Sequence, residues 1–96
     1  MQYQFEWDYE KAKINKSKHK ISFDIAATVF LDPNALTIFD KEHSVDEERW
    51  VTMGLNSNGI LTVVCHTFVE ETKNNCIVRL YSARKATKNE MNYFQG

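Results

Sequence analysis

Four extended runs dominate the second half of the chain: ALTIFD, RWVTMGL, ILTVVCHTF and CIVRLYS, broken by the polar stretches KEHS, NSNG and VEETKNN. Val, Ile, Thr, Phe and Trp enrich these runs, and short polar breaks between such runs are the mark of hairpin-connected strands. Consecutive strands with connections this short pair antiparallel, so a four-stranded meander is expected from Ala35 to Ser82. The Asn58-Gly59 pair supplies the best local hairpin signal, because its glycine takes up the positive φ that tight turns require.

The first third reads differently. Tyr3, Phe5 and Trp7 alternate with polar residues, the period-2 pattern of a short half-buried strand. Asp8 can cap a largely polar helix through YEKAKINKSKHK, and Ser22 a second one through FDIAATVF, where Ile25, Ala26, Val29 and Phe30 form an apolar stripe. Asp32-Pro33 ends it, since the residue before proline is pushed out of the helical region. After Ser82, ARKATKNEMNYF is helix-compatible, with Ser82 or Thr87 as cap. The expected class is α+β: a short N-terminal strand and two helices, a four-stranded antiparallel meander, and a C-terminal helix, with the helices on one face. A chain of 96 residues suits one domain spanning 1–96.

The sequence contains no apolar run approaching the roughly 20 residues that span a bilayer, nor one of signal-peptide length, so a soluble cytoplasmic protein is expected. Cys65 and Cys76 each sit in apolar runs without C-x-x-C spacing and read as core residues. The net charge of -1 hides a division: the first 20 residues hold five lysines against three acids, whereas residues 21–50 hold seven acids against Lys41 and Arg49. Basic ends around an acidic middle allow a polyanion-binding cleft beside an acidic surface. The closing YFQG matches the end of a common protease-tag sequence, and residues 91–96 are assigned no function.

Strand alternation sorts the last run into two sets: Ile77, Arg79 and Tyr81, and Val78, Leu80 and Ser82. The apolar set should meet the helices, leaving Arg79 and Tyr81 on the open face. Thr62, Val64, His66 and Phe68 form one set of the neighbouring run, and His66 is expected to join that face, subject to a one-residue slip of register.

Read in order, F-E-W-D at 5–8, K-A at 11–12 with Asn15, K-H at 18–19, S-F at 22–23, A-A-x-V-F at 26–30, D-P at 32–33, H-S at 43–44, E-E-R at 47–49, Gly54, and S-A-R-K-A-T at 82–87 with Glu90 resemble the BrnT family of bacterial toxins. The resemblance implies a RelE-like α+β ribonuclease of a type II toxin-antitoxin system that arrests translation. It also implies neutralisation by BrnA, a ribbon-helix-helix antitoxin, in a hetero-oligomer that touches DNA only through the antitoxin, with no membrane partner and no cofactor. A weakly catalytic homologue, acting chiefly as the antitoxin's partner in an autorepressor complex, is the alternative. Lys20 stands where the family usually has glycine, so the turn there is expected to be built differently. The segment after Thr67 is longer and more acidic than the pattern, with Glu70 and Glu71.

Metal-free RNA cleavage needs a base, a cation for the phosphorane and a proton source. Arginine suits the second role because its planar fork donates two hydrogen bonds and stays charged. Arg79 and Arg84 are the first candidates. His43, His66 and Tyr81 are the candidates for proton transfer, with His19 read more readily as a structural contact. Lys18, Lys20, Lys85 and Lys88 could hold the RNA backbone. No H-x-x-x-H or H-E-x-x-H spacing points to a metal site, and Trp7 and Trp50 read as packing or antitoxin-facing residues.

Overall fold

The structure, a computed structural model, describes residues 2–95. Strand β1 (Gln2–Trp7) leads into helix α1 (Tyr9–His19), and Asp8 caps it by accepting from the Glu10 and Lys11 amides. Helix α2 (Phe23–Ala27) starts at Ser22, whose hydroxyl accepts from the Ile25 amide, and tightens into a 3-10 turn over Thr28–Leu31. Then come β2 (Leu36–Phe39), β3 (Trp50–Leu55), β4 (Leu61–His66), β5 (Val69–Glu70), β6 (Asn75–Lys85) and α3 (Lys88–Gln95).

The sheet order is β1-β6-β4-β3-β2, so the meander forms as the sequence predicts. Gly59, at φ 76°, closes the β3–β4 hairpin, with its amide bonded to the Asn56 carbonyl at 2.9 Å. Three features were not anticipated. β1 joins the sheet parallel to β6, with Phe5 beside Val78 and Trp7 beside Leu80. β5 arises from the long acidic segment: it pairs with Ile77 and Cys76, along the same edge of β6 as β4 and opposite β1. β6 also runs to Lys85, so Ala83, Arg84 and Lys85 lie in a strand rather than at the start of the last helix.

Phe23, Ala26, Val29, Val64, Cys76, Val78, Leu80 and Ala83 are buried together where α2 and the 3-10 turn cover one sheet face. Trp7 packs edge-on against Phe23, with ring centroids 5.8 Å apart. α3 lies over the other face, where Leu36, Ile38, Val51, Met53 and Val63 line a groove shared with Tyr93. The helices therefore cover both faces, and only part of the second face stays open. Gly54 is required where the D-P turn crosses β3: a Cβ there would meet Ala35 and Val29 at 3.0 Å. Asp32 completes that contact by accepting the Leu55 amide at 2.8 Å.

Lys20 ends α1 in the left-handed conformation, φ 62° and ψ 25°, with its amide bonded to the Lys16 carbonyl. The turn expected to differ thus keeps the geometry that glycine serves, at the strain an L-residue carries there.

Candidate active-site cleft

Two local irregularities build the site. The first is a bulge in β6: Cys65 pairs with Ser82 and His66 with Leu80, so Tyr81 is an extra residue between them. A bulge reverses the alternation beyond it. Val78 and Leu80 are buried on the helix side, and after the bulge it is Ala83 that is buried, while Tyr81, Ser82 and Arg84 look outward. The second is the amide of Asn15, buried at 5% exposure. Asn15 accepts from the Ala83 amide at 3.0 Å and donates to its carbonyl at 2.9 Å and to that of Ile21 at 3.1 Å. It pairs with β6 as a strand would, just past the end of β1, and fixes α1 along that edge.

The β2–β3 loop supplies the opposite bank. Ser44 binds its own loop, donating to the Asp40 carbonyl at 2.6 Å and accepting from the Arg49 amide at 2.9 Å. Asp40 accepts the ring N–H of His43 Nδ1 at 2.8 Å, which leaves Nε2 for a reacting group.

Between the banks lies a cleft of about 290 Å³ lined by Lys11, Asp40, His43, Arg49, Cys65, Tyr81 and Ser82. The Tyr81 ring meets two cations there: the Arg49 guanidinium lies 4.1 Å from the ring centroid and the Lys11 ammonium 4.9 Å. Its hydroxyl donates to Glu47 at 2.5 Å. Burial first, then the Glu47 hydrogen bond and charge, raise the Tyr81 pKa above 10.0, opposed by Arg49 and Arg79. The phenol therefore stays protonated at neutral pH.

Of the expected site residues, His43 and Tyr81 meet in this cleft. Arg79 shares the outward face with Tyr81 but pairs with Glu6 at 3.3 Å. Arg84 faces outward too, yet its fork is held by Glu90, Nη1 to Oε1 at 2.8 Å and Nη2 to Oε2 at 3.0 Å. Four strand residues lie between the two arginines, whose backbones are five steps or about 16 Å apart along β6, so they do not converge. His66 does not join the open face, because its partner across the bulge is Leu80. It is fully buried, with Nδ1 donating to the Thr67 carbonyl at 3.0 Å and Nε2 accepting from Thr52 at 2.7 Å. Burial lowers its pKa, and no reacting group reaches it.

Lys18 and the half-buried His19 line a second hollow beside Lys11. Lys20 turns its ammonium to the Ser17 carbonyl at 2.9 Å. Lys85 lies with Lys16 and Lys20 at another hollow, and Lys88 opens α3, exposed. Cys76 is buried as expected, but Cys65 lines the cleft.

Arg49, Asp40 and Glu47 were not singled out as site residues, and Lys11 only as one of a row of lysines. The available signal was the H-S and E-E-R pairs at the two ends of one loop. Among the described residues, no three His, Cys, Asp or Glu side chains gather as a metal-ligand set. No helix among them is long and apolar enough to cross a membrane.

A six-stranded sheet with helices on both faces, and a cleft joining two cations, a carboxylate-oriented histidine and a tyrosine, defines a small α+β protein with a polar, anion-compatible site. Residues 7–90 match the family described as the ribonuclease toxin, BrnT, of type II toxin-antitoxin systems, and the chain belongs to that family. Its fold resembles that of the Brucella abortus ribonuclease toxin BrnT, with a TM-score of 0.64 at 18% sequence identity over 92% of this chain and 100% of that one. Among curated proteins, none matches the chain.

Proposed function

We propose that this chain is a metal-independent endoribonuclease toxin that cleaves RNA in the Tyr81 cleft, inhibits translation, and is neutralised by a BrnA-type ribbon-helix-helix antitoxin. The observation that carries the reading is the convergence of Lys11, His43, Arg49 and Tyr81 on one cleft, from a helix, a loop and a bulged strand.

His43, oriented by Asp40, takes the proton of the 2′-hydroxyl, whose oxygen attacks the adjacent phosphorus. Arg49 and Lys11 stabilise the charge that gathers on the phosphorane oxygens. The P–O5′ bond breaks, the leaving oxygen takes a proton from the Tyr81 hydroxyl, and a 2′,3′-cyclic phosphate remains on the upstream fragment. Tyr81 is kept protonated for that step, and its O–H, which donates to Glu47 in the free protein, turns to the leaving oxygen once RNA is bound.

Purified protein incubated with RNA at low salt in EDTA should fragment it. His43→Ala and Arg49→Ala should each lower the rate on the order of 100-fold or more, whereas Arg84→Ala should retain most of it. Intact RNA with the native protein, or full activity in both cleft variants, would sink this assignment. Inducing the gene alone should arrest growth; unaffected growth beside firm antitoxin binding would support the autorepressor-partner reading instead.

A further inference from the structure

The cleft continues past Tyr81. A hollow of about 190 Å³ runs between α1 and the distal half of β6, shares Lys11, Tyr81 and Ser82 with the cleft, and ends at Ile14, Lys18 and His19. Lys11, Ile14, Asn15 and Lys18 recur at helical spacing and so form one stripe of α1. Asn15 anchors that stripe to β6 from beneath, which holds the other three over the hollow.

Two features set this stripe apart from an ordinary solvated helix face. Ile14 is 64% exposed on a helix that otherwise presents mostly polar side chains outward, and it turns that apolar surface to the hollow. Lys18 lies two helical turns beyond Lys11, about 10.5 Å along the axis, with Ile14 between them. The order is cation, apolar surface, cation. A single-stranded nucleic acid offers the complementary order: phosphate, base, phosphate.

We propose that this hollow is a binding subsite for the nucleotide adjoining the scissile phosphate, with Lys18 on its far phosphate and its base against Ile14. The inference rests on the cleft's being the cleavage site, and it specifies single-stranded RNA longer than a dinucleotide as the substrate.

The test uses the whole chain and a short single-stranded oligoribonucleotide whose 2′-hydroxyls are methylated so that it cannot be cleaved. Affinity is measured by fluorescence anisotropy over a range of KCl concentrations. Lys18→Ala should weaken binding and reduce the slope of log affinity against log salt by about 0.7, the value for one phosphate contact on a single strand. Ile14→Ser should weaken binding about tenfold and leave that slope unchanged. Lys13→Ala, on the opposite side of α1, should bind as the native chain does. In cleavage assays, both stripe variants should raise KM for the unmethylated oligonucleotide; on a dinucleotide, which keeps the base but lacks the far phosphate, Ile14→Ser should still raise KM and Lys18→Ala should match the native chain.

Native-like binding by Lys18→Ala and Ile14→Ser, in a protein that cleaves RNA, overturns the subsite and leaves the cleft assignment standing. A native chain that binds through Lys18 and Ile14 but does not cleave keeps the subsite and removes the nuclease. Absence of both binding and cleavage removes both.

Discussion

Asn15 does more for the site than any residue that touches it. Its amide satisfies the Ala83 N–H and carbonyl and the Ile21 carbonyl at once, inside a buried seam. Asn15→Ala strands those backbone groups, and leaving a buried polar group unpaired costs about 1–3 kcal/mol. Chemical denaturation should show a loss of about 2–3 kcal/mol, together with reduced RNA cleavage as α1 and Lys11 lose their seat. Sequence reading noticed Asn15 as part of a pattern and gave it no task. The reason is physical: a mid-helix asparagine reads as a solvated residue until the partner edge, 68 residues away, is in place. His43 and Tyr81 were legible because their chemistry is carried by the side chain alone. Arg49 was not, because what distinguishes it from Arg79 and Arg84 is a neighbour across the cleft.

At the level of elements, the Arg84–Glu90 ion pair ties α3 to the sheet. Thr87 and Glu90 form a reciprocal cap: Thr87 donates its amide to Glu90 at 2.8 Å, and Glu90 donates its amide to the Thr87 hydroxyl at 3.2 Å. The same carboxylate grips Arg84. That grip, with the cap, holds the Glu90 pKa at about 2. A depressed carboxylate contributes stability that is full above its unfolded value, 4.5, and is lost as pH falls through about 2. Glu90→Gln keeps a capping side chain but drops the charge. Amide exchange in α3 should quicken, and the part of acid destabilisation between those two pH values that Glu90 supplies should vanish. The short meander strands were legible from β-rich runs and turn residues, because local chemistry determines them. The end of β6 was not: Ala83-Arg84-Lys85 favours helix by propensity, and pairing with Thr62, Val63 and Val64 overrides it.

Across the whole molecule, the charge division along the chain becomes a division in space. Basic α1 forms one bank of the cleft, the acid-rich β2–β3 loop forms the other, and Tyr81 stands between them. A polar chain also crosses three strands from the core to the exposed edge of the sheet: the Thr67 carbonyl, His66, Thr52 and Thr37, the last two hydroxyls 2.8 Å apart. The carbonyl can only accept, so His66 carries its proton on Nδ1, Thr52 donates to Nε2, and Thr37 donates to Thr52. Burial depresses the His66 pKa below its ordinary 6.5, so the folded chain resists a proton that the unfolded chain accepts. Stability is full above that value and falls as pH drops from it toward the lowered one. Urea midpoints should therefore hold steady above neutrality and decline below about pH 6.5, with a shallower decline in His66→Gln.

The extra residue at Tyr81 gives β6 a phase. Up to Tyr81 the odd-numbered side chains look outward, and from Ser82 the even-numbered ones do. Tolerance to polar substitution along the strand should follow the same parity and switch it once, between 81 and 82. A saturation scan scored for folding would thus reveal the cleft as a slip in rhythm, and deleting Tyr81 would erase it: Leu80 and Ala83 would stay buried and Ser82 and Arg84 outward in plain alternation, with the cleft's tyrosine gone.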